Sequence, residues 1–151
     1  MSFVKQKVIV SACLLGEYCR YDGKTKKDEL VIEKLQKFEI IPFCPEAPVF
    51  GTPRQRIKIV EHSSEMRVVV EDSGKDVTAI LKSEIQNFIE QNPFIDRIVL
   101  KSKSPSCGYK TTPIQNLKNN EINFGNGVAT EMFLKHYGDI IEDELILLQQ
   151  K

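Results

Sequence analysis

The sequence predicts an α/β fold, a single three-layer domain with a mainly parallel, Rossmann-like sheet. Short apolar, β-branched runs alternate along the chain with segments of helical periodicity, which is typical of this class. The runs are apolar at consecutive positions, as expected of strands that are covered on both faces. Residues 1–151 contain no repeat, low-complexity stretch or linker, and their number suits one domain, so we predict a single domain over 1–151.

The first third of the chain predicts two strands and one helix. Residues 8–12 form a β-branched apolar run that predicts a central strand, and a polar loop follows. Over residues 28–38, apolar side chains recur at helical spacing, with Asp28 as the predicted N-cap. Residues 40–43 predict the second strand. Residues 47–56 are too rich in Pro and Gly for regular structure.

The rest of the chain continues the alternation. Residues 57–60 and 66–70 predict a small β-excursion, and residues 77–91 predict the clearest helix. A strand is expected at 97–101. Residues 109–126 show no clean periodicity and predict an irregular loop that borders or covers the site. The last predicted elements are a helix at 127–137, an edge strand at 140–141 and an acidic tail helix.

Charge and hydropathy exclude several classes of protein. Lys+Arg and Asp+Glu both number 21, so the formal net charge is zero and nucleic acid is not an expected partner. The apolar stretch after Lys5 and Lys7 lacks an A-x-A-like cleavage site, which argues against a signal peptide. No run approaches the ~20 apolar residues of a membrane span. We therefore expect a cytoplasmic protein without a membrane partner. Its oligomeric state, monomer or homodimer, stays open.

Each of the four cysteines falls after a strand-like run or near its end. Cys13, Cys44 and Cys107 follow three different predicted strands, and Cys19 lies in the loop after the first. Ligands of open α/β sheets bind beyond the carboxyl ends of parallel strands, so these cysteines are placed to converge on one cofactor. In the cytoplasm, cysteines are more often metal ligands or catalytic groups than disulfides.

The residue pattern by itself leaves three interpretations open: an iron–sulfur cluster, a zinc site and buried structural cysteines. Thiolates suit both kinds of metal centre, and free cysteine is also a common small core residue. Three thiolates on a cubane cluster would leave one iron open to a substrate. The chain contains no C-x-x-C, which weakens the zinc-ribbon and dithiol-redox interpretations.

The cysteine-bearing segments resemble the thiouracil desulfidase family, formerly a bacterial family of unknown function. The resemblance rests on VSACLLG at 10–16 with CRYDG at 19–23, on CPE at 44–46 and on KSPSCG at 103–108. It extends through GKDVT at 74–78 and GNGVA at 125–129 to Glu142. It therefore covers nearly the whole chain, and the set of motifs is highly specific.

The resemblance implies an oxygen-sensitive [4Fe-4S] cluster that is held by Cys13, Cys44 and Cys107. The fourth iron would take the sulfur of a thiolated pyrimidine such as thiouracil, and C=S would be replaced by C=O with release of sulfide. Cys19 would pack beside the cluster without ligating it. Two alternatives remain: desulfidation of thiolated tRNA, and a non-enzymatic zinc, iron–sulfur or oxygen-sensing protein in which Cys19 is the fourth ligand.

Glu46 is the predicted catalytic base, because it follows Cys44 by two residues and a carboxylate can accept the proton of an attacking water. The alternative is that Glu46 caps a helix or pairs with Arg54. Ser104 is the second catalytic candidate, since its hydroxyl would orient the base or the substrate.

Asp22 and Ser106 are the predicted substrate-binding residues. Both have a simpler explanation. Asp22 precedes Gly23 and suits an Asx-turn, and Ser106, like Ser104, suits a loop in which hydroxyls satisfy backbone groups.

Overall fold

The computed structural model describes residues 5–116 and 121–149. Its strands are β1 (Lys7–Ser11), β2 (Glu39–Phe43), β3 (Ile57–His62), β4 (Glu65–Val70), β5 (Arg97–Leu100), β6 (Thr112–Gln115), β7 (Glu121–Gly125) and β8 (Ile141–Asp143). Its helices are α1 (Glu29–Lys34), α2 (Glu46–Phe50), α3 (Thr78–Gln91), α4 (Val128–Tyr137) and α5 (Glu144–Gln149), and a short 3₁₀ helix (Ala12–Leu15) follows β1.

Four strands form a parallel sheet in the order β2-β1-β5-β8, which confirms the predicted α/β fold with a mainly parallel sheet. Val8, Ile9 and Val10 of β1 are fully buried because helices cover both faces. Val8 and Val10 share one core cluster with Val31 of α1, whereas Ile9 belongs to the other, with Leu81 of α3. The alternation of side chains along β1 thus separates two helical layers.

The remaining four strands form a mixed sheet in the order β4-β3-β6-β7. The β3–β4 hairpin confirms the predicted β-excursion. The prediction of an irregular loop over 109–126 was wrong for β6 and β7, and residues 117–120 of that segment lie outside the described residues. β6 is stabilised by pairing with distant β3, where Ile59 lies opposite Ile114, and local periodicity carries no signal of such a partner.

Helix termini follow their local chemistry. The side chain of Asp28 accepts hydrogen bonds from the backbone N–H groups of Leu30 (3.1 Å) and Val31 (3.2 Å), so the predicted N-cap is confirmed. The prediction that residues 47–56 lack regular structure was wrong at its start, where α2 makes one turn. Pro48 is tolerated there because the first turn of a helix needs no N–H from it.

An aromatic cluster joins the carboxyl end of β2 to the helices behind it. The Phe43 ring lies 4.6 Å from Phe88 of α3 and 5.0 Å from Phe133 of α4, centroid to centroid. These contacts fix α4 against the end of the parallel sheet. Within the described parts of the chain, no helix is long and apolar enough to cross a membrane.

Candidate functional site

Three neighbouring strands of the parallel sheet deliver cysteines to one edge. Cys13 lies in the 3₁₀ helix after β1, Cys44 directly follows β2, and Cys107 lies in the loop after β5. A pocket of about 570 Å³ opens at this edge, and all four cysteines line it. Its volume is that of a small-molecule site. The topological rule for ligand sites in parallel sheets accounts for its position.

The four thiols are free and differ in exposure. Cys13 and Cys107 are buried, whereas Cys19 and Cys44 are half-buried. Burial raises the pKa of Cys13 to about 11 and raises that of Cys107 as well. A hydrogen bond from Cys19, aided by the backbone N–H of Ala47, lowers the pKa of the Cys44 thiol. The four cysteines therefore form one electrostatically coupled group.

The segment of residues 101–108, which we call the Cys107 loop, is ordered by its own serines. Ser11, the last residue of β1, accepts a hydrogen bond from the Lys101 backbone N–H (2.8 Å), and its hydroxyl also bonds the Cys107 thiol. The Ser104 hydroxyl accepts from the N–H groups of Ser106 (3.2 Å) and Cys107 (3.1 Å). The Ser104 carbonyl accepts from Gly108 N–H at 2.9 Å.

The N-terminus of α4 clamps the Cys107 loop from outside. Backbone N–H groups of residues 127–129 donate to the carbonyls of residues 108, 105 and 106, at 2.8, 3.1 and 2.8 Å. The Thr130 hydroxyl adds a bond to the Cys107 carbonyl (2.9 Å). A Cβ on Gly127 would lie 2.6 Å from the Ser106 carbonyl oxygen, so only glycine permits this approach. The Gly-Asn-Gly sequence before α4 was the available signal for this contact.

Glu46, at the start of α2, lines the pocket with both carboxylate oxygens engaged. Oε1 lies 3.4 Å from the Nε of Arg54, and Oε2 accepts a hydrogen bond of 2.7 Å from the Ser106 hydroxyl. The side chains of Glu46 and Arg54 are 12% and 5% exposed. Glu46 thus forms the ion pair with Arg54 that the sequence offered as an alternative. The same side chain also lines the pocket, so the two roles are compatible.

The other predicted site residues occupy different positions. Ser104 lines the pocket, with its hydroxyl bonded to loop backbone. Ser106 is fully buried beneath Glu46. Asp22 lies outside the residues that line the pocket, and its Oδ1 accepts from the Lys24 N–H (2.9 Å) in an Asx-turn. That hydrogen bond lowers the pKa of Asp22.

The mixed sheet supplies a polar wall of the pocket that sequence reasoning missed. Arg56, Lys58, Pro113 and Gln115 line it from this side. Arg56 lies over the Tyr21 ring with 4.7 Å between the guanidinium carbon and the ring centroid. The pairing of β3 with β6 brings these residues together, which no local pattern reveals.

Lys101 adds a fixed positive charge beside the cysteines. Its Nζ lies 3.1 Å from the Ser102 hydroxyl and 3.4 Å from Oε1 of Glu144. Glu144 is 5% exposed, and its carboxylate accepts from the Ser102 N–H (3.0 Å). Lys101 partly offsets the rise in the pKa of Cys13, which burial and Cys44 cause. Glu144, which pairs with Lys101, acts on the pKa of Cys13 in the opposite direction and raises it.

The donor set fits an iron–sulfur cluster. Thiolates are the ligands that iron–sulfur clusters take from a protein. Cys13, Cys44 and Cys107 are soft donors on three strand ends, beside a cation and a pocket.

Comparisons with known proteins agree with this arrangement. The family model described as 2-thiouracil desulfurase matches residues 8–144. YbbK, an uncharacterised protein of Bacillus subtilis (strain 168), is 30% identical over 109 residues, which cover 67% of this chain and 72% of YbbK.

A solved structure shares the fold over almost the full length. It is the [4Fe-4S]-dependent thiouracil desulfidase TudS, with 32% sequence identity and a TM-score of 0.72. The match covers 96% of this chain and 95% of TudS. The sequence-based resemblance is thereby confirmed, and the predicted cofactor is the one on which this structural neighbour depends.

Proposed function

The chain belongs to the 2-thiouracil desulfurase family, and we propose that it is a desulfidase acting on a thiolated pyrimidine. The proposed net reaction is the replacement of thiocarbonyl sulfur by oxygen, in which R₂C=S and water give R₂C=O and hydrogen sulfide. Thiouracil is the proposed substrate, since it is the one named for TudS. The single observation that carries the proposal is the convergence of the cysteines from three strand ends on one pocket with Glu46.

We assign Cys13, Cys44 and Cys107 as the residues that hold a [4Fe-4S] cluster. When bound, this group would supply an iron with an open coordination position that polarises the C–S bond of the substrate. The chain's part is to hold three thiols in the segments that follow three strands, where they line one pocket. The positive charge of Lys101 supports the thiolate form, because it opposes the effect of burial on Cys13.

Glu46 is the proposed general base. Each of its carboxylate oxygens makes one protein contact, to Arg54 or Ser106, and each oxygen has further acceptor capacity for a water. These contacts hold the carboxylate toward the pocket. It would take a proton from the water whose oxygen bonds to the thiocarbonyl carbon, while the C–S bond breaks and sulfide leaves.

The remaining predicted residues receive supporting roles in the proposal. Ser104 shapes the loop beside Cys107 and presents its hydroxyl to the pocket wall, where it would orient the substrate. Ser106 would act through Glu46, which it holds by a hydrogen bond. Asp22 would act through the turn that carries Tyr21 to the pocket, because its carboxylate closes that turn.

Anaerobic reconstitution with iron and sulfide tests this function. The measurements are the visible spectrum, the iron content and the sulfide released from 2-thiouracil. We expect brown protein with about four irons per chain that releases sulfide. Glu46→Gln should keep the iron and lose about 10²–10⁴-fold in kcat, the usual share of a general base.

Glu33→Gln is the matched control, because Glu33 is exposed on α1 away from the pocket. It should leave both iron content and kcat unchanged. A Glu46→Gln enzyme with normal kcat would remove the base from the proposal. A colourless protein that binds zinc through all four cysteines and releases no sulfide would support the non-enzymatic alternative.

A further inference from the structure

We infer that Cys19 and Cys44 are a redox-active pair that closes to an intramolecular disulfide when the cluster-free protein meets a hydroperoxide. No role in holding the cluster is assigned to Cys19, yet this cysteine lines the same pocket. Cys44, which lies beside it, is one of the three proposed cluster ligands.

The contact between the two thiols singles out this pair. The side chains of Cys19 and Cys44 are within hydrogen-bonding distance, and Cys44 Sγ also lies 3.8 Å from the Cys19 carbonyl oxygen. Cys13 and Cys44 interact through the charge on their thiols, and the Cys107 thiol bonds Ser11. Cys19 and Cys44 are thus the two cysteines whose side chains contact each other directly.

The loop that carries Cys19 can supply the small movement that bond formation needs. Residues 16–28, which we call the Cys19 loop, contain no helix or strand. Gly16 and Gly23 have φ values of 102° and 77°, a region that glycine enters without steric cost. A sulfur–sulfur bond of about 2.05 Å requires the Cys19 side chain to move toward Cys44, which β2 and α2 hold in place.

Access favours the same pair. All four cysteines line the pocket, but Cys19 and Cys44 are half-buried, whereas Cys13 and Cys107 are buried. The two half-buried thiols therefore offer the larger exposed target to a hydroperoxide in the pocket. In the balanced step, the two thiols lose two protons and two electrons to form one S–S bond, and hydrogen peroxide is reduced to two molecules of water.

The consequence for the protein rests on the proposed function. A cluster on Cys44 would occupy the sulfur that the disulfide needs, so the loaded protein should resist oxidation at this pair. In the cluster-free protein, the disulfide would protect Cys44 from irreversible oxidation to the sulfinic acid. Reloading would then require a thiol reductant.

Peptide mapping of the full-length, cluster-free protein tests the pair. The protein is treated with one equivalent of hydrogen peroxide, alkylated and digested without reduction at Glu and at Lys/Arg. Cleavage after Glu17 separates Cys13 from Cys19. We expect a linked product of peptides 18–20 and 40–46, a fall from four free thiols to two, and full recovery with dithiothreitol.

Two variants sharpen the test. Cys19→Ser should abolish the link, and in excess hydrogen peroxide it should leave Cys44 as the sulfinic acid, which dithiothreitol does not reduce. Cys13→Ser, which changes a cysteine of the same pocket, should retain the link. Linkage of Cys44 to Cys13 or Cys107 in wild type, an interchain disulfide, or no disulfide would overturn the inference. Sulfide release by the reconstituted batch is measured alongside, so the proposed function stands or falls separately.

Discussion

The Cys107 loop and the Cys19 loop both reach the same pocket, and they are held in place by different means. Residues 105–108 of the Cys107 loop receive four hydrogen bonds from α4, an element about twenty residues later in the chain. The first half of the Cys19 loop is closed on itself, by a bond from Arg20 N–H to the Lys24 carbonyl (3.2 Å) and one from Gly23 N–H to the Arg20 carbonyl (2.9 Å).

One pocket therefore combines a fixed thiol, Cys107, with an adaptable one, Cys19. Cys107 is fixed by long-range contacts to a helix that packs in the core, through Phe133. Cys19 is placed mainly by local turns and keeps a half-buried thiol, and one distant bond, from Arg54 N–H to the Tyr21 carbonyl (2.7 Å), holds its loop. We therefore expect changes at α4 to reach the proposed cluster site, and equivalent changes in the Cys19 loop to stay local.

Gly127→Ala should have the largest effect. The added Cβ would lie 2.6 Å from the Ser106 carbonyl oxygen, and backbone must shift to relieve the clash. We expect a loss of about 3 kcal/mol in the free energy of unfolding, as for severe overpacking, and poor iron incorporation. Urea unfolding and iron analysis measure both.

Gly23→Ala is the control in the Cys19 loop. Nothing lies within 4 Å of its Cβ position, so only the positive φ of 77° penalises the substitution, by about 1 kcal/mol. Iron incorporation should be unchanged. If both variants lose iron equally, α4 has no special role in holding the site.

In the cluster-free protein, Cys13 should react about 100-fold more slowly than an ordinary thiol. Burial, aided by Cys44, raises the pKa of Cys13 to about 11, so its thiolate fraction at pH 8 is about 100-fold below that of an ordinary cysteine. The pKa of Cys44 is lowered, so its thiolate is present at lower pH. Iodoacetamide labelling followed by mass spectrometry should label Cys44 first and Cys13 late.

Raising the pH should narrow this difference, because Cys13 gains thiolate as the pH approaches its raised pKa. Cys19→Ala should slow labelling of Cys44, since the hydrogen bond that lowers its pKa is lost. Four cysteines that label at one rate between pH 6 and 9 would contradict the assigned environments.

Thr130→Val should have a smaller effect. The hydroxyl of Thr130 is buried and donates to the Cys107 carbonyl (2.9 Å), so its loss leaves an acceptor unpaired and should cost about 1 kcal/mol. Thr25→Val removes the analogous bond from the Cys19 loop to the Cys13 carbonyl (2.9 Å). That site is less buried, and we expect a change within about 0.5 kcal/mol. Thermal unfolding measures the loss of stability in the two variants. Equal losses would mean that the Cys107 loop is held no more firmly than the Cys19 loop.

The sequence was sufficient to predict what local patterns encode. The apolar runs before Cys13, Cys44 and Cys107 predicted parallel strands, and the N-cap at Asp28 followed from its side-chain chemistry. The motifs around these cysteines also carried the family resemblance, because they can be read directly from the sequence, in order along the chain.

What sequence reasoning missed depends on contacts between distant segments. The segment Thr112–Gln115 contains a proline and is short, and it forms a strand because β3 and β7 pair with it. The hydrogen bonds from the N-terminus of α4 to the Cys107 loop likewise form only after the fold has brought these two distant segments together. The helix at Glu46–Phe50 was not predicted because the segment from 47 to 56 is rich in Pro and Gly, although one turn of helix tolerates Pro48.

Iron content after anaerobic reconstitution of Cys107→Ser and Cys19→Ser distinguishes a site held by three cysteines from one held by four. Both variants replace a pocket thiol with a hydroxyl, and circular dichroism checks that both are folded. We predict about four irons per chain in Cys19→Ser and loss of the cluster in Cys107→Ser. Equal iron loss in the two variants would show instead that Cys19 is a ligand and that the site is closed to substrate.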